Sequence, residues 1–157
     1  MAAYHKILVA LDSSPLSDKV FTCASTLAKQ QGAKLMLIHC FTLPKPHQDF
    51  GDRYGANLGE FLSLAQTHIE EGMEATRQWL NGYAQTAKDM TLDVDWDWYV
   101  GEAGPQICAA AEDWNADLIV VGRRGHTGLQ EILLGSVSNY VLHRCRRAVL
   151  VVQGDKV

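Results

Sequence analysis

A five-stranded α/β sheet, open and mostly or wholly parallel, is the fold class that this 157-residue sequence predicts. Two patterns carry that expectation. Short apolar runs rich in branched residues alternate with segments of helical period along the chain, the order that builds successive strand–helix–strand units. Several of those runs have no polar interruption, as is typical of strands covered on both faces. The composition, 47% hydrophobic and 20% charged, is that of one globular domain with a single core.

The first run, KILVALD from Lys6 to Asp12, is unbroken until its final aspartate and reads as a central strand. Ser13 and Ser14 supply a hydroxyl cap and Pro15 suits a first helical turn; LSDKVFTCASTLAKQQ then keeps helical spacing up to a stop at Gly32. AKLMLIHCF is a second buried strand. Thr42 to Gly59 holds two prolines and three glycines, too long and irregular for a turn, and reads as a loop or lid. Helical period returns from Glu60 to about Lys88, with Phe61, Leu64, Ile69, Met73, Trp79, Leu80 and Tyr83 as expected core positions. Gly72 and Gly82 weaken that helix locally.

In TLDVDWDWYV, Leu92, Val94, Trp96 and Trp98 alternate with Asp93, Asp95 and Asp97. That is a half-exposed strand at a sheet edge, its carboxylates solvated and discouraging edge-to-edge pairing rather than forming a metal cluster. Gly104 and Pro105 open a further helix that ends at Asn115, DLIVV is the fourth strand, and a helix from about Gly128 to Cys145 leads into AVLVV, the fifth.

In such sheets ligands settle beyond the carboxyl ends of the strands, where strand order reverses. Two ends stand out here: the first strand closes on Asp12 and the fourth runs into Gly122. A glycine there permits a sharp turn and close approach of a ligand to the main chain. Gly125 and Gly128 extend that freedom, and Gly135, Ser136, Val137 and Ser138 offer amide hydrogens and two hydroxyls, donors suited to phosphate oxygens. Each part alone is commonly structural; the joint spacing, glycine, two residues, glycine, nine residues, Gly-Ser, points to a phosphorylated ligand.

On that spacing the sequence resembles the ATP-binding subclass of the universal stress protein family, whose signature G-x2-G-x9-G-[S/T] is matched by GRRGHTGLQEILLGS. KILVALDSS, LIHCF, GEAGPQI, ADLIVVGRRGHTGL and LLGSVSNYVLHRCRRAVLVV extend the likeness over nearly the whole chain. The resemblance implies a doubly wound, Rossmann-like sheet of the adenine nucleotide alpha hydrolase-like type, in strand order 3-2-1-4-5. It also implies ATP and Mg²⁺ as cofactors. Asp12 would lie beside the ribose or metal, Ala10 and Leu11 along the adenine, and the main chain of Cys40 against the base. Gly122, Arg123, Arg124, Gly125, His126, Thr127 and Gly128, with Gly135, Ser136, Val137 and Ser138, would hold the ribose and phosphates. An arginine of this loop can pair with phosphate through two hydrogen bonds, and His126 can donate to it. The family also commonly pairs its last strand across a two-fold axis, which implies a homodimer through Ala148 to Val152 and agrees with the open edge that AVLVV would otherwise leave.

Two functions of different class remain at this stage: a nucleotide-dependent regulatory module with little hydrolysis, and an ATP-consuming enzyme, either a slow ATPase or a nucleotidyl transferase. No G-x4-G-K-[S/T] loop is present, which favours the first. A pure interaction scaffold fits poorly with an intact glycine-serine signature. The net charge of −4 provides no basic face for nucleic acid. No apolar run approaches the roughly 18 to 20 residues of a membrane span, and MAAYHKILVALD lacks a signal-peptide plan, so a cytoplasmic protein is expected. Cys23, Cys40, Cys108 and Cys145 fall singly in apolar segments, and reduced thiols filling the core are expected rather than a disulfide or zinc site. Arg144, Arg146 and Arg147 read as charge answering a helix dipole, with no role in a site.

Overall fold

The computed structural model of the chain describes residues 3–41, 58–123 and 135–154. The strands are β1 (Lys6–Ala10), β2 (Lys34–Phe41), β3 (Val94–Val100), β4 (Leu118–Arg123) and β5 (Ala148–Gln153). The helices are α1 (Leu16–Gln31), α2 (Leu58–Asp89), α3 (Ala103–Trp114) and α4 (Ser136–Arg144). All strand pairs are parallel and the sheet order is β3-β2-β1-β4-β5, the predicted one. β1 therefore pairs with β2 on one side and β4 on the other, and sheet order reverses between β1 and β4.

Alternation along the central strands explains their uninterrupted hydrophobicity. Ile7 and Val9 of β1, Leu35 and Leu37 of β2, and Leu118 and Val120 of β4 pack on one face with Val20, Phe21 and Ala24 of α1 and Leu80, Ala84 and Ala87 of α2. Leu8, Ile38, Ile119 and Val121 point the opposite way, onto Ile107, Ala110 and Ala111 of α3 and Val141 of α4. With helices on both faces, the middle of these strands is interior on both sides, and their ends are half-buried. β3, at the edge, keeps the predicted two-sided pattern: Val94, Trp96 and Trp98 join the first cluster. Its aspartates face outward, and Lys34 reaches Asp95 at 3.0 Å and Asp93 at 3.6 Å.

Asp117 ties the entry of β4 to β1. Its Oδ2 accepts the main-chain N–H groups of His5 and Lys6, both at 2.8 Å. The His5 hydrogen bond, foremost, holds this carboxyl below the ordinary value of 3.8. The clamp is therefore at full strength above that value and is lost as pH falls through the lower folded one.

α2 departs from the expected core pattern. Leu80 is fully buried and Trp79 and Tyr83 pack against the core, but Leu64 is 69% exposed. The cause is length: a helix of 32 residues runs about 48 Å, whereas the eight residues of β2 run only about 26 Å. Only its carboxyl-terminal half lies over the sheet. The expected lid falls largely on residues 42–57, outside the described residues, as does the expected start of the last helix at Gly128.

Three helices end in the same left-handed motif. After α1, Gly32 has φ 66° and the Ala33 N–H returns to the Ala28 carbonyl at 2.9 Å. After α3, Asn115 has φ 55° and the Ala116 N–H returns to Ala111 at 2.9 Å. After α2 the left-handed position is Thr91, at φ 66°, with Thr91 N–H bonded to the Lys88 carbonyl (2.8 Å) and Leu92 N–H to Ala87 (3.0 Å). Glycine or asparagine tolerates this geometry; a β-branched residue is strained in it. Replacing Thr91 with glycine is expected to stabilise the protein by about 1 kcal/mol, raising Tm by about 3 °C in circular dichroism melts. An unchanged or lower Tm contradicts the strain.

The cysteines overturn the expectation of four thiols. Cys108 on α3 and Cys145, which caps α4, form a disulfide spanning 37 residues of sequence, while Cys23 and Cys40 are free. The two helices pack side by side on one face of the sheet and bring the two Cα atoms to 5.4 Å. That neighbourhood is a product of the sheet order and leaves no trace in the spacing of the cysteines.

Candidate functional site

A cleft of about 780 Å³ opens beyond the carboxyl ends of β1 and β4. In a parallel sheet each helix begins where the preceding strand ends, so helix amino termini gather at this end. α1, α3 and α4 all border the cleft with their first turns, through Ser14 and Ser17, through Ala103 and Gly104, and through Ser136 to Ser138. Each brings the positive end of its dipole; in α1 the Ser14 N–H is already bonded to Asp12 Oδ1 at 2.9 Å and the Ser17 N–H to the Ser14 carbonyl at 3.1 Å, so the main-chain donors come from α3 and α4. Neither α3 nor α4 has a side-chain cap bond at this end, and the first N–H bonded back along α4 is Asn139 to Gly135, at 2.9 Å. The amides of Ser136, Val137 and Ser138 thus precede the helical ladder, beside the cleft.

The turn after β1 is built around Asp12. Its Oδ1 accepts from the Ser14 N–H (2.9 Å), the Ser14 hydroxyl (2.5 Å) and the Ser17 hydroxyl (3.1 Å). The Ser17 hydroxyl, in a residue only 3% exposed, also lies 2.6 Å from the Asp12 carbonyl and accepts the Asp12 N–H at 2.9 Å. Ser14 therefore turns back on the aspartate and does not cap α1 as expected; the N-cap position is held by Pro15, without a side-chain bond. The result is an aspartate-centred turn that fixes the carboxylate at the mouth of the cleft.

The end of β2 forms the adjoining wall. His39 Nδ1 lies 2.8 Å from the Leu11 carbonyl, so this nitrogen carries the hydrogen, and the ring meets Trp79 edge-on at 5.2 Å. Cys40 alternates to the other face, its Sγ 3.9 Å from the Ala103 carbonyl. Burial pushes the thiol up to about 11, so it stands in the wall as a neutral group.

Of the candidates read from the sequence, Ala10, Leu11, Asp12, Cys40, Gly122, Gly135, Ser136, Val137 and Ser138 all line this one cleft. Arg123 closes β4 opposite Gln153. Arg124, Gly125, His126, Thr127 and Gly128 lie outside the described residues. Two candidates have a different structural basis from the one expected. Gly122 lies within β4, paired with Val152, and a Cβ there would come within 3.0 Å of Leu16 and Val20. Its missing side chain thus lets α1 approach the strand. Ser138 is fully buried and its hydroxyl donates to the Gly135 carbonyl at 3.0 Å, bracing the turn that enters α4.

Sequence reasoning missed Ser17, His39, Glu102 and Tyr140, which also line the cleft. The Asp-Ser-Ser-Pro run carried a signal for the turn that Ser17 completes. His39 and Tyr140 had none, because their partners are Leu11 and Gly104, remote in sequence.

An open parallel α/β protein with a cleft at its switch point, walled by helix amino termini and one fixed carboxylate, is the class that fold and site define. The family model described as "Universal stress protein family" matches residues 3–153. Over 153 residues the chain is 40% identical to universal stress protein Sll1388 of Synechocystis sp., an alignment covering 96% of this chain and 98% of that protein. Its fold resembles hypothetical protein MJ0577, with a TM-score of 0.78 at 22% identity, covering 99% of this chain and 100% of that one. It also resembles a universal stress protein solved in complex with cAMP, with a TM-score of 0.65 at 24% identity, covering 97% and 98%. The chain belongs to the universal stress protein family. No helix among the described residues is long and apolar enough to cross a membrane.

Proposed function

We propose that the cleft binds an adenine nucleotide, ATP with Mg²⁺, and that the protein acts as a nucleotide-dependent regulatory module with little hydrolysis. The observation that carries this reading is the convergence of three helix amino termini on one cleft of about 780 Å³, with main-chain donors suited to phosphate at the starts of α3 and α4. A family member of the same fold in complex with cAMP supports the adenine nucleotide class. Ala10 and Leu11 would line the base, with the Cys40 main chain at its edge. The amides of Ser136 and Val137 would meet phosphate oxygens, while Ser138 holds their turn.

Among the described residues no group of three or more His, Cys, Asp or Glu could hold a metal ion by itself. Asp12 brings a carboxylate fixed by its turn to the cleft, which fits Mg²⁺, an ion usually held by one or two carboxylates together with phosphate oxygens. When bound, the ion would offset phosphate charge beside Asp12.

The edge strand β5 supports assembly as a homodimer through Ala148 to Val152. Leu150 is 38% exposed there, and Leu142 of the neighbouring α4 is 41% exposed. Light scattering is expected to give twice the chain mass; a monomer at high concentration contradicts the dimer.

For the function itself, the protein is purified and denatured, the released small molecules are identified, and ATP with Mg²⁺ is followed over time. Release of adenine nucleotide, with added ATP bound and largely unchanged, is the expected result. Rapid formation of ADP or AMP would establish an enzyme instead, and absence of any affinity would overturn nucleotide binding.

A further inference from the structure

At the far end of α4, about 13 Å from the cleft by helix length, lies a second depression of about 330 Å³. It is lined by the Cys108–Cys145 disulfide together with Glu112, Arg144, Arg146 and Arg147. Both half-cystine residues are part-exposed, so the bond borders an open depression and is not sealed in the core. Arg147 is tied to Glu112 at 3.4 Å. Arg144 and Arg146 are exposed and have no ion pair among the described residues. Three guanidinium groups therefore face one carboxylate, on a chain whose net charge is −4. The dipole of α4 accounts for Arg144 in its last turn, but Arg146 and Arg147 lie past the helix end, so the sequence reading of this run as dipole compensation is incomplete.

We propose that Cys108–Cys145 is a reversible thiol–disulfide exchange site whose partner is a small thiol bearing carboxylates, drawn in by Arg144 and Arg146. The thiolate of that partner attacks Cys108 Sγ. A new bond forms between the two sulfurs, the Cys108–Cys145 bond breaks, and Cys145 leaves with the electron pair as a thiolate beside the arginines, where positive charge stabilises it. A second partner thiolate attacks the partner's sulfur in the mixed disulfide and releases Cys108. The products are two protein thiols, protonated from water, and the partner's own disulfide; the reverse sequence closes the bond again. The cross-link joins α3 to the end of α4, two of the three helices whose amino termini border the cleft, so its state sets how firmly they are held together.

The test compares reduced glutathione, which carries carboxylates and net negative charge, with cationic cysteamine at matched thiolate concentration on the native protein. Samples are quenched by alkylation, and modification of Cys108 and Cys145 is read by peptide mass spectrometry, which separates them from Cys23 and Cys40. Glutathione is expected to open the bond about tenfold faster at low salt. That advantage should vanish near 1 M salt, where screening reaches about 3 Å, and in the double variant R144Q/R146Q. Equal or faster reduction by cysteamine overturns the proposal, as does an advantage that survives in the double variant. It is equally overturned if neither thiol opens the bond before denaturation, or if the cysteines are found reduced and oxidised glutathione fails to join them.

Discussion

Asp12→Asn is expected to lower affinity for ATP about tenfold when Mg²⁺ is present and to change it little when the ion is removed, with the melting temperature nearly unchanged. Asparagine keeps an oxygen where Oδ1 accepts from Ser14 and Ser17, so the turn after β1 survives, while the charge offered to the ion is lost. Asp12→Ala removes both. The Ser14 hydroxyl and the Ser14 N–H then lose their acceptor, while the Ser17 hydroxyl keeps the main-chain carbonyl of residue 12 at 2.6 Å; the carboxylate's place at the cleft is emptied, and affinity is expected to fall about a hundredfold, or about 3 kcal/mol. Calorimetric titration with and without Mg²⁺ separates these contributions. If Asp12→Asn bound ATP with Mg²⁺ as tightly as the parent, the assignment of Asp12 to the ion would fail, while adenine binding would still be judged by the nucleotide that co-purifies.

Gly104→Val is expected to produce the largest loss of stability. Gly104 is buried in the first turn of α3, and a Cβ there would lie 2.7 Å from Cγ and Cδ1 of Tyr140 and 3.0 Å from its Cβ. Those atoms sit at the root of the ring, so relief requires moving the side chain to another rotamer or displacing α4. A valine should cost about 3 kcal/mol, lowering Tm by about 6 to 12 °C. Nucleotide affinity should fall with it, since Gly104 and Tyr140 both line the cleft. The double variant Gly104→Val with Tyr140→Ala removes the collision and should recover part of the loss, giving a coupling well above the additivity error of about 0.5 kcal/mol. Additive effects, or a Gly104→Val protein melting within a degree of the parent, would show that α3 and α4 do not depend on this contact.

Glycine plays different parts across the fold, and its position decides which. Gly32 supplies a left-handed φ that its place after a helical run announced. Gly122 followed an apolar strand and read as a turn with open main chain, yet it continues β4 and makes room for Leu16 and Val20 of α1. Position relative to a strand was visible along the chain; what stood over that strand was not.

The order of elements, the four fully or partly covered apolar strands, the polar face of β3, and the gathering of Asp12 with Gly135 to Ser138 were all legible in the sequence. Each follows from local rules: a period of two or of 3.6, capping residues, and the fact that a parallel sheet puts strand ends and helix starts on one side. Tertiary structure alone decided which remote groups meet. The Leu11 carbonyl determines which nitrogen of His39 carries a hydrogen, Tyr140 fills the space that a side chain at Gly104 would need, and α3 lying beside α4 turns two scattered cysteines into a disulfide ringed by arginines. Those pairings depend on distances set by packing between elements, and periodicity along one element carries no information about its neighbour's side chains.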